Sequence, residues 1–522
     1  SLLVLFVSCE CAAAATVHHI FEVGYFSANP DGHETAWFMG INGGVVGPEV
    51  RVRRGDNLIV KVVNACPTEE VTIHWHGFEM RNAQEYDGAM GITMCSIKPR
   101  QSFVYDFVVD EAPGTYQYHE HAHLEHVASR ALFGPLIVEE PMGTPRIWSY
   151  DQEAVLTLSD YSTHSPHGDE FNRIGRLVRP ASVSAVGNVV GVLDFHNILI
   201  NGRGGFNVFG TSPSLNISGL EELTPKVGET WRLRLINAGI LFAMRFRIDG
   251  HRLRVIQSDA ADVQEYPCDA VTLSSGERFD VLVTFDQDPG SYWFRVETLE
   301  GSFGVHHGQL GVLRYEGSSQ GVEPDKGYHR KQRIWESPEL VTLNCIDQEN
   351  TVSLTCRPIT DLKRHPSFLD AHVGQAHDVR HDFEMNVRGF NPATFPGHFT
   401  RLLDLQEEPN TYGDDQFDGE YVQFMPPTVP YSSSQGVSSN TLEMRVSLGE
   451  TVRVIIQLQD RAAHPFHLHG HKFAVLGVGF PNYAEDCDIF YCRSQSNYWV
   501  SRDGYRGLLD PAVAPLKDTV HL

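Results

Sequence analysis

Three stretches of this chain open alike, and that repetition limits its fold more than any other feature. Gly55-Asp56 begins GDNLIVKVVNACPTEEVTIHWHG, Gly228-Glu229 begins GETWRLRLINAGILFAMRFRIDGH, and Gly449-Glu450 begins GETVRVIIQLQDRAAHPFHLHGH. Each reads as a turn, an alternating strand, a loop, and a second strand ending near a Gly-His or His-Gly pair. Self-similarity on this scale predicts three copies of one β domain, joined near residues 140–150 and 316–332. Runs such as NLIVKVV (57–63), WRLRLI (231–236) and TVRVIIQL (451–458) are separated by Gly, Pro, Asn and Asp, and long helical periodicity is scarce. The fold class is therefore all-β, and 522 residues are enough to give each copy its own core.

A second element repeats with a difference. Gly114 opens GTYQYHEH and Gly290 opens GSYWFRVE, both after a Pro-Gly junction. The middle copy carries Arg295 and Val296 where the first carries His119 and Glu120, so the scaffold does not need the histidines. In the third copy PLKDTVHL (515–522) lines up with YPCDAVTL (266–273) through Asp-x-Val-x-Leu. Gly290 follows Leu273 by 17 residues, and Gly114 follows Ile97 by the same interval. On that arithmetic the third element is expected past Leu522, which makes this a C-terminally truncated sequence with an incomplete third domain.

The stretch HPFHLHGHKF (464–473) places His464, His467, His469 and His471 within eight residues. Three His-x-His pairs stand out along the chain: His74/His76, His119/His121 and His467/His469. Alternate residues of a strand share a face and lie roughly 6–7 Å apart, so each pair offers two imidazoles side by side. Six imidazoles exceed one tetrahedral zinc and suit a multinuclear site, for which nitrogen-rich ligation favours copper. A zinc-hydrolase reading of His119-Glu120-His121-Ala122-His123 leaves the other two pairs unused. His123 and His126 are expected to be solvated or to support ligands, His471 to pack or hydrogen-bond, and His18/His19 and His306/His307 to lie in surface loops.

The formal charge of −25 disfavours nucleic acid and anionic membrane as partners. No stretch of about 18 uninterrupted apolar residues follows the N-terminus, so no membrane span is expected in this chain. SLLVLFVSCECAAAAT, with its apolar run Leu2–Val7 before Ala12–Ala15, reads as a signal-peptide remnant over residues 1–15, which implies secretion. Seven of the nine cysteines lie beyond it, and Cys345–Cys356 and Cys487–Cys492 are candidate local bridges in an oxidising compartment. Asn216-Ile217-Ser218 is a possible glycosylation sequon.

HWHG (74–77), the YDG of 86–88, GTYQYHEH (114–121) and HPFHLHGH (464–471) resemble three of the four copper-binding segments of the multicopper oxidases. INGRG (200–204) and RIDGH (247–251) are similar to the ligand-free middle domain of laccase-like members. The resemblance implies three consecutive cupredoxin-like Greek-key β-sandwich or barrel domains over 16–142, 143–318 and 319–522. It implies four copper ions in the full-length protein: one type 1, one type 2 and two type 3. His74 and His467 match ligands of the type 2 copper, His76, His119, His121 and His469 those of the type 3 pair, and His464 one ligand of the type 1 copper. Asp87 matches an acidic position that assists proton delivery. The implied reaction couples one-electron oxidation of a phenol or aromatic amine to reduction of dioxygen to water; a ferroxidase or other metal-ion oxidase is the alternative, and a non-catalytic copper-binding relative the alternative from another class.

Three departures from the family pattern stand out. The His-Cys-His segment is absent, so the thiolate of a type 1 site and two of eight cluster imidazoles are not found, and the chain as given is expected to be inactive. Gln117 stands where laccases commonly carry an aromatic residue. Cys95 matches a position that in related oxidases bridges to the C-terminal tail.

Overall fold

The computed structural model describes residues 14–33, 35–122, 130–161, 178–179, 192–193, 197–205, 219–240, 242–298, 307–319, 321, 328–329, 334–335, 340–344, 356–366, 379–388, 402–406, 450–458, 465–478, 510 and 512–521. They form strands and turns with two short 3-10 turns, and no α-helix occurs among the described residues.

The three openings identified in the sequence produce the same topology. Thr16–Ala28 pairs in parallel with Asn57–Asn64. Gln152–Tyr161 does so with Thr230–Asn237, and Val379–Arg388 with Thr451–Leu458. In each copy the first of these strands also takes an antiparallel neighbour: Ala36–Ile41, Asn197–Ile200 and Leu402–Gln406 respectively. In a sheet with one buried face, alternation fixes the register, because a one-residue slip would turn the whole apolar set outward. Leu58, Val60 and Val62 follow that rule and are buried without exposure.

The first domain pairs a five-stranded sheet, ordered Ser102–Val108, Asn57–Asn64, Thr16–Ala28, Ala36–Ile41, Arg130–Ala131, with a second, ordered Val50–Arg53, Phe133–Glu139, Gly114–Glu120, Ile73–His76. Phe21, Trp75, Tyr105, Tyr116 and Tyr118 share the core of this domain. The middle domain packs a six-stranded and a seven-stranded sheet around its own core, which also takes in Val475 and Val520 of the third domain. Thr342–Leu343 and Cys356–Arg357, assigned to the third domain by sequence, extend the seven-stranded sheet of the middle domain instead. A sheet edge offers unpaired backbone groups, and the chain leaving the middle domain satisfies them.

The His18 and His19 pair lies within the first strand rather than in a loop, because the parallel pairing with Asn57–Asn64 already begins at Thr16. His307 is half-buried, with its ring 5.6 Å from that of Phe242, and its backbone N–H donates to Thr298 Oγ1. Cys66 and Cys268 are buried free thiols, and Cys95 is free and exposed. Cys356 is disulfide-bonded; Cys345, Cys487, Cys492, Asn216, His123, His126, His306 and the segment 1–13 lie outside the described residues.

The domains lock at Gly114, where the strand that carries His119 begins. A Cβ there would lie 2.5 Å from Ala260 Cβ and 2.8 Å from Ala260 Cα of the middle domain. One residue on, Thr115 Oγ1 donates to Asp280 Oδ2 at 2.9 Å and accepts from Arg234 Nη1 at 2.9 Å. Replacing Gly114 with Ala is expected to push the strand off the middle domain and cost about 1–3 kcal/mol, as overpacking does. Denaturant titration of the variant checks this; a stability equal to the wild type would show that the interface yields.

Candidate metal centre

Alternation builds the first half of the site. In Ile73–His76, Trp75 enters the core, which turns His74 and His76 to the opposite face. The neighbouring strand pairs His74 with His119 and His76 with Gln117, so His119 and Gln117 share that face. The other two pairs are not built wholly on strands. His121 lies just past the end of Gly114–Glu120, and His469 lies in a turn after Pro465–His467. The chain bends at each place, so the even spacing of a strand does not apply to them.

All six imidazoles nevertheless converge. Ring centroids are 5.7 Å apart for His74/His76, 5.8 Å for His119/His121 and 4.8 Å for His467/His469. Across the domains, His74 stacks on His469 at 3.9 Å and His76 on His467 at 3.8 Å. His121 meets His469 edge-on at 4.9 Å, and His74 lies 5.3 Å from both His119 and His121.

Hydrogen bonds fix which nitrogen of each ring is open. The Nδ1–H of His74 donates to the Asp87 carbonyl at 2.7 Å, that of His467 to the Asp518 carbonyl at 2.8 Å, and that of His119 to the Glu120 carbonyl at 2.9 Å. A carbonyl only accepts, so each of these neutral rings has a bare lone pair on Nε2. His76 is reversed. Thr519 Oγ1–H is directed to the Asp518 carboxylate at 3.0 Å, so the hydroxyl accepts from His76 Nε2–H at 3.0 Å and leaves the lone pair on Nδ1.

The lone pairs then face one another. His74 Nε2 is 3.4 Å from His467 Nε2, and His76 Nδ1 is 3.2 Å from His119 Nε2. A proton could fill either gap only by making a ring cationic, which burial opposes. Burial, then His469, pushes His74 down to about 3. Burial likewise holds His76, His119 and His467 well below the ordinary histidine value and lowers His121. Facing lone pairs in a dry cleft are a seat for a cation, and a donor set of neutral imidazoles suits copper. One ligand nitrogen from each of His74, His76 and His467 lies within 4.8 Å of the others.

Asp87 backs this arrangement. Its Oδ2 accepts from His469 Nδ1–H at 2.9 Å, and its Oδ1 is 3.3 Å from His74 Nδ1. Burial acts upward on this carboxyl, but hydrogen bonds from His469 and His74 hold it well below the usual carboxylate range. One carboxylate thus orients a ring from each of two domains. Exposed His471 has its Nδ1 3.4 Å from the His469 carbonyl, and His464 lies outside the described residues.

The middle domain fills the same slots with charge. Setting Gly250 on Gly77 places Arg247 at His74 and Asp249 at His76, and Arg247 pairs across the strands with Arg295 as His74 does with His119. Arg247 Nη1 and Arg295 Nη2 both donate to Asp249, each at 2.7 Å. Guanidinium groups have no lone pair to offer a metal, and the ion pairs tie the sheet together.

Sequence reasoning missed Asp518, Thr519 and Arg278. The Asp-x-Val-x-Leu match singled out Asp518 only as a point of alignment; its counterpart Asp269 accepts from Val341 N–H and pairs with Arg252, away from the cluster. The histidine shifts also carry a pH dependence. The unfolded rings take up protons below about pH 6.5, whereas the folded rings resist until much lower. Stability of the metal-free chain is therefore complete above that pH and is lost as pH falls, by about 1.4 kcal/mol per unit for each such ring, continuing for His74 to about pH 3. Urea midpoints measured from pH 7.5 to 4.5 are expected to drop steeply, and less steeply in His74→Gln; a flat profile would contradict the buried neutral cluster.

Comparison with known proteins agrees with this geometry. Three models described as multicopper oxidase match residues 22–143, 153–318 and 410–521. The L-ascorbate oxidase of Cucurbita pepo var. melopepo is 29% identical over 493 residues, covering 88% of this chain and 83% of that protein. Laccase-1 of Thanatephorus cucumeris is 32% identical over 340 residues, covering 64% of this chain and 54% of that one. The crystal structure of Fet3p, a multicopper oxidase that functions in iron import, shares the fold with a TM-score of 0.68 at 17% identity, over 97% of this chain and 83% of that one. The family matches follow one another in the order of the three domains and together span most of the sequence: this chain belongs to the multicopper oxidase family.

Proposed function

We propose that the protein is a secreted, laccase-like oxidase that couples one-electron oxidation of phenols or aromatic amines to four-electron reduction of dioxygen to water. The observation that carries this reading is the pairing of lone pairs, His74 Nε2 with His467 Nε2 between the first and third domains and His76 Nδ1 with His119 Nε2 within the first. His74 and His467 would hold the type 2 copper, and His76, His119, His121 and His469 the type 3 pair. His464 would be a ligand of the type 1 copper, for four copper ions in all. Copper, when bound, supplies the one-electron redox steps.

The residues of the chain supply the rest. Burial keeps His74, His76, His119 and His467 neutral, with their lone pairs open to a cation. The carbonyls of Asp87, Glu120 and Asp518 hold the rings in register for ligation. Asp87, in contact with rings of two domains, is the group placed to pass protons toward the cleft.

Loading the natural protein with copper and recording dioxygen uptake with a phenol tests the proposal. The expected result is one dioxygen consumed per four phenols oxidised, without peroxide release. Uptake with ferrous iron and not with phenols would make it a metal-ion oxidase, and copper binding without uptake from either would make it a non-catalytic copper protein.

A further inference from the structure

The middle domain contributes no histidine to the cluster, yet it touches one. Gly276 turns with φ +86°, and a Cβ on it would lie 2.9 Å from His76 Cε1 and 3.2 Å from His76 Nε2. Two residues on, fully buried Arg278 grips Asp518 of the third domain in a fork, Nη1 to Oδ1 at 2.7 Å and Nη2 to Oδ2 at 2.5 Å. The same guanidinium donates to the Thr115 carbonyl of the first domain at 3.2 Å and to its own Gly276 carbonyl at 2.8 Å. Four of its five N–H groups are thus committed across three domains. The fork packs against Gly77, beside His76; a Cβ there would lie 2.6 Å from Arg278 Nη2 and 2.7 Å from Asp518 Oδ2.

Held this way, Asp518 faces the cluster with both of its functional groups. Its carbonyl accepts from His467 Nδ1–H. Its Oδ1 accepts from Thr519 Oγ1–H at 3.0 Å, which turns a hydroxyl lone pair toward His76 Nε2 at 3.0 Å. His76 is thereby the one ring of these four that presents Nδ1 rather than Nε2 to the cleft.

We propose that Arg278 is a positioning residue: acting through Asp518 and Thr519, it fixes the tautomer of His76 and the place of His467, so that the middle domain sets the ligand geometry of a cluster to which it gives no ligand. The inference rests on the copper reading above. Without the fork Asp518 is left with the looser pairing to Lys472 at 3.7 Å, the acceptor that directs the Thr519 hydroxyl is no longer fixed, and either nitrogen of His76 can carry the proton.

Three variants test it: Arg278→Lys, which keeps the charge but not the fork; Thr519→Val, which keeps the shape but not the hydroxyl; and Thr519→Ser, which keeps the hydroxyl. Each full chain is titrated with copper alone against a chelator, with the paramagnetic resonance spectrum of the bound copper and the thermal midpoint recorded. Arg278→Lys and Thr519→Val are expected to weaken copper binding by about tenfold or more and to shift the spectrum, and Thr519→Ser to stay within about twofold of the wild type. Unchanged affinity and spectrum in folded Arg278→Lys, or in Thr519→Val, would overturn the inference alone. If Arg278→Lys fails to fold, the Thr519 pair decides by the same criteria. A wild-type chain that takes up no copper would overturn the copper reading and this inference with it.

Discussion

The three domains meet at a buried knot of charge, and the histidine cluster depends on it. Arg278, Lys517 and Lys472 face Asp259, Asp518 and Glu277, and none of these side chains is more than 2% exposed. Lys517 Nζ is 3.1 Å from Asp259 and 3.0 Å from Glu277, and it also donates to Ser258 Oγ. Charges buried this way are tolerated only when every one is matched, and removing one partner from such a pair costs about 3–5 kcal/mol. The matching therefore specifies one arrangement of the domains. Domain placement in turn decides whether His467 and His469 arrive opposite His74 and His76.

Seen from the knot, the repeat has divided its labour. One pair of facing strands carries His74 and His119 in the first copy and Arg247 and Arg295 in the middle copy, at the same register. In the first copy these positions leave lone pairs pointing outward, which is unfavourable unless a cation joins them. In the middle copy the slots close on Asp249 as ion pairs, stable without any ligand. The middle domain is thus free to serve as the fixed support on which the two domains of the histidine cluster are set.

Much of this was legible in the sequence because it is local. The period-two alternation of IHWH set the face of His74 and His76, and the three Gly-Asp or Gly-Glu openings marked one strand of every copy, though not the parallel partner that each takes. Alternation alone could not give the tautomer of His76, which is set by Thr519, 443 positions away. Nor could it give the fork of Arg278 on Asp518, a contact between domains 240 positions apart. The edge strands Thr342–Leu343 and Cys356–Arg357 escaped for a related reason, since short segments join whichever sheet edge is open to them.

The central claim, as proposed above, is that the facing lone pairs of the histidine cluster hold copper. Diffraction from crystals of the copper-loaded protein, recorded on both sides of the copper absorption edge, tests it most directly. Anomalous peaks are expected between His74 Nε2 and His467 Nε2 and between His76 Nδ1 and His119 Nε2. Copper bound elsewhere with the cleft empty, or rings turned so that His76 presents Nε2, would contradict the account.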